Sequence, residues 1–391
     1  MKHVTKWLSA LALGAFALLP LAPTLAPAHA KEAIAAPKAK AAYLIDVGTG
    51  TPLAAHNERA HYPIASMVKI MTVLLSLEHI ESGKLGFDSE ITVSQNAASM
   101  GGSQAFLDAN ATYKVDNLLR SIVVASANDS CVAMAEQIAG STEGFVDAMN
   151  QRAKELQMPD TNFVNCTGLP KEGGYSCAKD VAAMMRALAK HQDYFRYSTV
   201  WMDDFTHPGG RITGLTNTNK LVRFYEGCDG GKTGFTSEAK FCLAATAKRN
   251  GLRLVSVVIG ADDSKTRFAE VSRLLNTGFA GYENKVLYQK GQVLEKTAAV
   301  ENGKQESVKV RVADDVGVFG ARGKAAEGVT TQETLNTLKA PVKAGDVVGT
   351  VVAAKDGAVV AQSDLVADAA VEKRGFKDNW RDVVEKMASA G

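Results

Sequence analysis

The alternation of apolar and polar positions changes character several times along the chain. Ala42 to Val47 is a β-rich run closed by Gly48, Gly50 and Pro52, and a second short strand is expected beyond that turn. Ser66 to Ile80 is apolar almost all round (Met67, Val68, Ile70, Met71, Val73, Leu74, Leu75, Leu77), which predicts a helix buried mid-domain and ended by Gly83. Residues 115–157 read as two or three further helices, and Ala178 to Ala189 as another. Phe241 to Thr246 and Leu252 to Gly260 are β-rich runs joined by the hairpin-like turn Lys248-Arg249-Asn250-Gly251. A helix from about Lys265 to Gly278 follows. Strands at both ends with helices between them predict an α+β domain, residues 41–282, whose sheet joins its own termini.

From Lys285 onward the pattern turns to short alternating strands, among them Val308 to Val312, Asp346 to Ala353 and Ala358 to Gln362. These predict a separate small all-β domain over residues 285–370. Phe376, Trp380, Val383, Val384 and Met387 then recur at helical spacing. Residues 372–391 therefore read as an amphipathic helix, either in peripheral contact with a membrane or docked as an ordinary terminal helix. At the other end, Lys2, His3 and Lys6 precede an apolar stretch from Trp7 to Leu21, and Ala28-His29-Ala30 supplies a small-x-small cleavage pattern. Residues 1–30 are expected to be a cleaved export signal, followed by a linker over residues 31–40. Pro20, Pro23 and Pro27 interrupt the stretch as a membrane span. The protein is thus expected outside the cytoplasm, in the periplasm or at the outer face of the membrane and cell wall.

Composition narrows the function classes. With 46% apolar and 22% charged residues and a formal net charge of +2, the 391-residue chain is globular, and neither disordered nor a nucleic-acid binder built on excess charge. Removing the signal takes away Lys2 and Lys6 and leaves a neutral chain, so attraction to an anionic wall cannot rest on net charge. The five cysteines form no CxxC pair, and no histidine is spaced to complete a zinc site. No metal or other cofactor is expected. Cys131 and Cys242 sit in apolar runs as small hydrophobes, whereas Cys166 and Cys177 lie in a loop-rich stretch and could pair.

The candidate chemistry starts at Ser66 and Lys69, three apart at the start of the buried helix and so on one face. Free N–H groups near a helix N-terminus favour a developing oxyanion. A lysine set among Met67, Val68, Ile70 and Met71 is desolvated, which lowers its pKa and lets the neutral amine take a proton from a serine. The spacing alone is weak, since Ser237-Glu238-Ala239-Lys240 shares it. Ser126-Ala127-Asn128, on a short loop between two helices, places a hydroxyl able to relay a proton beside a carboxamide able to hold a carbonyl. Ser94-Gln95-Asn96 matches too, and looks like a strand end. Lys232-Thr233-Gly234 occurs once and leads into a strand. A cation, a hydroxyl and a residue without a side chain on an edge strand suit an extended substrate carrying a carboxylate.

In this order and context the three motifs resemble those of the penicillin-binding serine enzymes. Longer strings, Pro63 to Thr72, Met100-Gly101-Gly102-Ser103-Gln104, Ser126 to Asp129 and Asp229 to Ala239, resemble the serine-type D-alanyl-D-alanine carboxypeptidases, the low-molecular-mass penicillin-binding proteins. The resemblance covers about residues 40–370. It implies an antiparallel sheet packed with helices, of the β-lactamase and penicillin-binding type, followed by a small β-domain. It further implies that Ser66 attacks the bond between the two terminal D-alanines of a peptidoglycan stem peptide, with Lys69 as base. The N–H groups of Ser66 and Phe235 would form the oxyanion hole. Ser126, with Asn128 and Lys232 beside it, would serve the departing D-alanine, and Thr233 would bind the terminal carboxylate. Arg267 looks like the family's arginine near that carboxylate. β-Lactams would acylate Ser66 as covalent inhibitors.

Two departures stand out. The segment Gly174-Tyr175-Ser176-Cys177-Ala178 has cysteine where threonine is usual and lacks a histidine before the tyrosine. Gly231 replaces a position more often isoleucine. Rival readings are a β-lactamase, a D,D-endopeptidase acting on cross-links, and a non-catalytic binder of wall peptide. Against the first, no Glu-x-x-Leu-Asn-type segment stands between the second and third motifs; Glu155-Leu156-Gln157-Met158-Pro159 is the nearest start and fails. Against the last, every nucleophile, base and relay position is filled.

Overall fold

A computed structural model describes residues 36–375 and Trp380. The expected export signal, the start of the linker and most of the expected C-terminal helix lie outside the described residues; of its expected start, residues 372–375 are not helical, Lys373 bridging to Gly303. Among those residues no helix is long and apolar enough to cross a membrane.

Strand β1 (Ala41–Asp46) is followed by β2 (Pro52–His56), and a 3-10 turn (Ala65–Val68) leads directly into α1 (Lys69–Glu81). The all-round apolar stretch is therefore helical, but its first turn is tighter than the rest. Two short strands, β3 (Glu90–Thr92) and β4 (Thr112–Lys114), flank α2 (Gln95–Ala98) and pair with each other. Ser94 is not a strand end: it caps α2, its hydroxyl accepting the Ala97 N–H. Helices α3 (Val115–Ala125), α4 (Asn128–Ala139), α5 (Thr142–Glu155), α6 (Ala178–Leu188) and α7 (Tyr194–Ser198) follow. Then come the hairpin β5 (Met202–Thr206) and β6 (Ile212–Thr216), the single turn α8 (Leu221–Phe224), the strands β7 (Cys228–Thr236), β8 (Lys240–Arg249) and β9 (Leu252–Ala261), and α9 (Ser264–Gly281).

The central sheet runs β2-β1-β9-β8-β7, antiparallel throughout, and so joins the chain's early strands to its late ones. Ala41 pairs with Ile259 and Asp46 with Leu254. Both faces are covered. On one, Met67, Ile70, Leu74, Leu118, Ile122, Met134 and Phe145 form the core with Val255, Val257 and Ile259 of β9. On the other, Val271, Leu274 and Leu275 of α9 pack on Leu44, Leu243, Leu254 and Val258. Burial on two faces accounts for the near-continuous apolar run of β9.

From Tyr282 to Ala367 the chain is built of strands. Tyr282–Tyr288 pairs with Val316–Ala321, and a six-stranded sheet encloses a core of Val308, Val310, Val312, Val348, Val351 and Leu365. Arg322 donates to the carbonyls of Phe279 and Ala280 and so satisfies the open end of α9.

All five cysteines are buried free thiols. Cys166 and Cys177 do not pair. Cys177 caps α6, its sulfur accepting the Asp180 N–H, while the Cys166 carbonyl accepts the Thr72 hydroxyl of α1 at 2.7 Å.

Candidate active site

The candidate centre is built on a strained turn. Ala65 holds φ +46°, costly for a residue with a side chain, and Ser66 follows it, half-buried. One turn on, Lys69 is fully buried. Its Nζ lies 3.1 Å from Ser66 Oγ and donates to the Thr167 carbonyl at 2.6 Å. Burial is the main cause that lowers its pKa. The amine thus has one partner to orient it and a serine hydroxyl in reach.

Ser126 ends α3 in the left-handed conformation, φ +66°, and its buried Oγ has no hydrogen-bond partner among the described residues. Asn128 opens α4. Its Nδ2 donates to the Gly101 carbonyl at 2.6 Å and its N–H to the Ser103 carbonyl at 2.7 Å, while Oδ1 is unpartnered. Asn128 therefore ties down the Met100 to Gln104 strap. Asp129 continues the tie, accepting from the buried amides of Ala105 and Leu107, each at 3.0 Å. Replacing Asp129 with alanine strands three buried donors, the amides of Ala105, Leu107 and Ser130, at about 1–3 kcal/mol each. We expect urea denaturation to show a loss of about 3 kcal/mol; a loss under ~0.5 kcal/mol would mean the strap is held elsewhere.

Lys232 is buried on β7, its Nζ donating to the Thr233 carbonyl at 3.0 Å. Burial first, then the charge of Lys69, drives its pKa well below the ordinary lysine value. Two cations so near one another cannot both stay protonated cheaply, and their titrations belong to the pair. The rate of penicillin acylation should therefore rise with pH, with a midpoint below 10.5, as neutral amine accumulates. A midpoint at or above that value would show that the lysine base is not desolvated. The unfolded chain binds more protons than the native one in the same window, so stability should also rise with pH there.

Gly234 does something the sequence did not suggest. A Cβ placed on it would stand 2.6 Å from the Ile64 carbonyl oxygen and 3.3 Å from the Ser66 nitrogen. Its bareness lets β7 press against the Ile64 to Ser66 turn, which brings the strand carrying Phe235 alongside the Ser66 amide. The Phe235 ring is exposed and lies 4.4 Å from that of Phe241. Thr233 Oγ1 donates to Thr218 Oγ1 at 2.8 Å, so Thr218 joins the site although no motif marked it. Arg267, on α9, donates to the carbonyls of Gly234 (3.2 Å) and Cys242 (3.3 Å), and burial lowers its pKa to about 10. In this structure it braces β7 and β8 through their main chain. The rival Ser237 and Lys240 lie at the turn between β7 and β8, with Lys240 exposed and at φ +57°.

Comparison with known proteins decides the family. The family described as D-alanyl-D-alanine carboxypeptidase matches residues 27–263, and the C-terminal domain of penicillin-binding protein 5 matches residues 282–373. The chain belongs to the D-alanyl-D-alanine carboxypeptidase family. It is 39% identical to the D-alanyl-D-alanine carboxypeptidase DacF of Bacillus subtilis over 87% of each chain. Against DacC of Escherichia coli it is 32% identical over 96% of this chain and 95% of that one. Among solved structures, penicillin-binding protein 5 of Haemophilus influenzae superposes with a TM-score of 0.64 at 30% identity, covering 87% of this chain and 99% of that one. A peptidoglycan synthesis regulatory factor of Streptococcus pneumoniae does so with a TM-score of 0.68 at 26% identity, covering 86% and 100%.

Within this carboxypeptidase, three supports of the site went unread in the sequence. The loop Asn165 to Leu169 folds on the Asn165 side chain, whose Oδ1 accepts from the N–H groups of Thr167 (3.1 Å) and Gly168 (2.6 Å). Gly168, at φ +78°, lies so close to Ala65 that a Cβ would fall 2.0 Å from its carbonyl oxygen. Tyr194, buried on α7, accepts the Gly231 N–H at 2.8 Å. A Cβ on Gly231 would meet the Ala244 carbonyl oxygen at 2.4 Å and the Asn219 amide at 2.9 Å, so isoleucine has no room there. A Thr-Gly pair in a loop is a turn cue, but nothing local says which backbone it will touch.

Proposed function

We propose that the chain removes the terminal D-alanine from peptidoglycan stem pentapeptides through an acyl-enzyme on Ser66. The observation that carries this reading is the 3.1 Å approach of the buried Lys69 amine to Ser66 Oγ. Neutral Lys69 takes the hydroxyl proton as Oγ bonds to the scissile carbonyl carbon. The carbonyl oxygen gathers negative charge against the amides of Ser66 and Phe235. Collapse of that intermediate breaks the C–N bond: Ser126, with Lys232 beside it, passes its proton to the departing amine and takes one back from the Lys69 ammonium, which returns to the neutral amine. Thr233 orients the leaving carboxylate, with Thr218 fixing its hydroxyl and Arg267 its strand. Water activated by Lys69 then cleaves the ester and restores Ser66. Penicillins acylate the same oxygen and act as inhibitors. Export to the periplasm or wall belongs to the same reading, as does membrane contact through residues 372–391, which fractionation after deletion beyond Val371 would test.

The deciding experiment incubates the purified protein with a stem pentapeptide and separately with benzylpenicillin. Released D-alanine and a penicillin adduct mapped to the peptide containing Ser66 are the expected results. An adduct on another residue would overturn the assignment of Ser66. Cleavage of cross-linked dimers without release of terminal D-alanine would favour the endopeptidase.

A further inference from the structure

The proposed reaction gives the bound peptide a direction. The leaving D-alanine lies by Thr233 and the reacting carbonyl between Ser66 and Phe235, so the acyl part continues past Phe235 towards Thr236. An extended chain advances about 3.4 Å per residue. The side chain of the residue that precedes the D-alanine pair therefore comes level with Thr236, at the end of β7.

A cavity of about 430 Å³ opens at that place. Ala65 and Val68 of the nucleophile turn line it on one side, Thr236 and Glu238 on another, and Lys171 and Glu172 on a third. The Lys171 segment continues the Asn165 to Leu169 loop, whose Thr167 carbonyl holds Lys69. The cavity and the reactive centre thus share two walls. Lys171, Glu172 and Glu238 are exposed, and none forms a salt bridge among the described residues. A single ammonium and two carboxylates around one opening match a long side chain that itself ends in a carboxylate and an ammonium.

We propose that this cavity takes the side chain of the third stem residue and favours a diamino dicarboxylic acid there over a plain diamino acid. Glu172 and Glu238 receive its ammonium and Lys171 its carboxylate, while Val68 and Ala65 pack against the methylenes. The proposal rests on the carboxypeptidase reading and is tested separately from it.

Three stem pentapeptides that differ only in the third residue (diaminopimelate, lysine or alanine) supply the test, with kcat/KM measured from released D-alanine. Exposed ion pairs are worth up to about 1 kcal/mol, or roughly fivefold each. The expected order is diaminopimelate over lysine over alanine, by about two- to fivefold per step. Lys171→Ala should erase the first step, and Glu172→Gln with Glu238→Gln should shrink the second to what the methylene contacts alone supply. Equal kcat/KM for the three peptides would overturn the proposal, as would variants that lower all three alike. If no peptide yields D-alanine and Ser66 takes no penicillin, the carboxypeptidase reading itself has failed.

Discussion

Lys69→Arg should abolish measurable penicillin acylation, lowering the second-order rate by at least about a thousandfold while the far-UV circular dichroism stays native. A positioned general base contributes about 10²–10⁴ to a rate, and the guanidinium supplies none of it, because it stays protonated at neutral pH. The pocket compounds the defect. Lys69 is enclosed completely and its Nζ is matched to a single carbonyl, Thr167, and a single hydroxyl, Ser66. A planar five-donor group finds too few acceptors there, and a buried unmatched charge is costly. Lys69→Met separates the two effects: it removes base and charge together, fills the space with a flexible apolar chain, and should fold at least as stably yet acylate no better. Labelling of either variant at a rate near wild type would place the base on another residue.

Gly168→Ala should be the most damaging single-methyl change near the site. The added carbon would stand 2.0 Å from the Ala65 carbonyl oxygen and 2.9 Å from the Ser66 nitrogen, both backbone atoms that cannot rotate away. The turn must shift by about an ångström, and a displacement of that size at a reacting group costs about a hundredfold in rate. Overpacking adds about 1–3 kcal/mol of instability, and the left-handed φ of +78° adds more. Gly83→Ala is the control, since Gly83 has φ +72° and nothing within 4 Å. It should pay the conformational strain and keep its acylation rate. Equal losses in both variants would show that strain, and not the push on Ser66, is responsible.

Much of this was legible in the sequence because it depends on local pattern. The apolar stretch after Ser66, the helices between Val115 and Glu155 and the hairpin of β8 and β9 all announce themselves through periodicity and turn residues. The spacing of Ser66 and Lys69 fixes their geometry within one turn of helix. What stayed hidden depends on contacts between distant segments. Thr218 meets Thr233, Thr167 meets Lys69, and Gly168 meets Ala65 only because the sheet and helices bring separate loops together. Gly234 was legible as a residue chosen for its bareness, but that space is taken by the Ile64 to Ser66 backbone. Arg267 was placed by resemblance beside a substrate carboxylate; its hydrogen bonds to the Gly234 and Cys242 carbonyls and to the Ser264 hydroxyl had no local signal. Ser94 misled for the reason that any serine before a short helix can: a cap and a strand end share the same extended backbone.

The placement of β1 beside β9 bears on when the molecule becomes reactive. Residues 41–46 can pair with β2 early, but their second hydrogen-bonding neighbour does not exist until residues 252–261 have been synthesised. Ser66 likewise waits for β7 to press against its turn. Long-range pairings of this kind form slowly and late. A partly synthesised chain therefore carries its serine and its lysine without a working centre, and chemistry switches on only once the last strand of the sheet is in place.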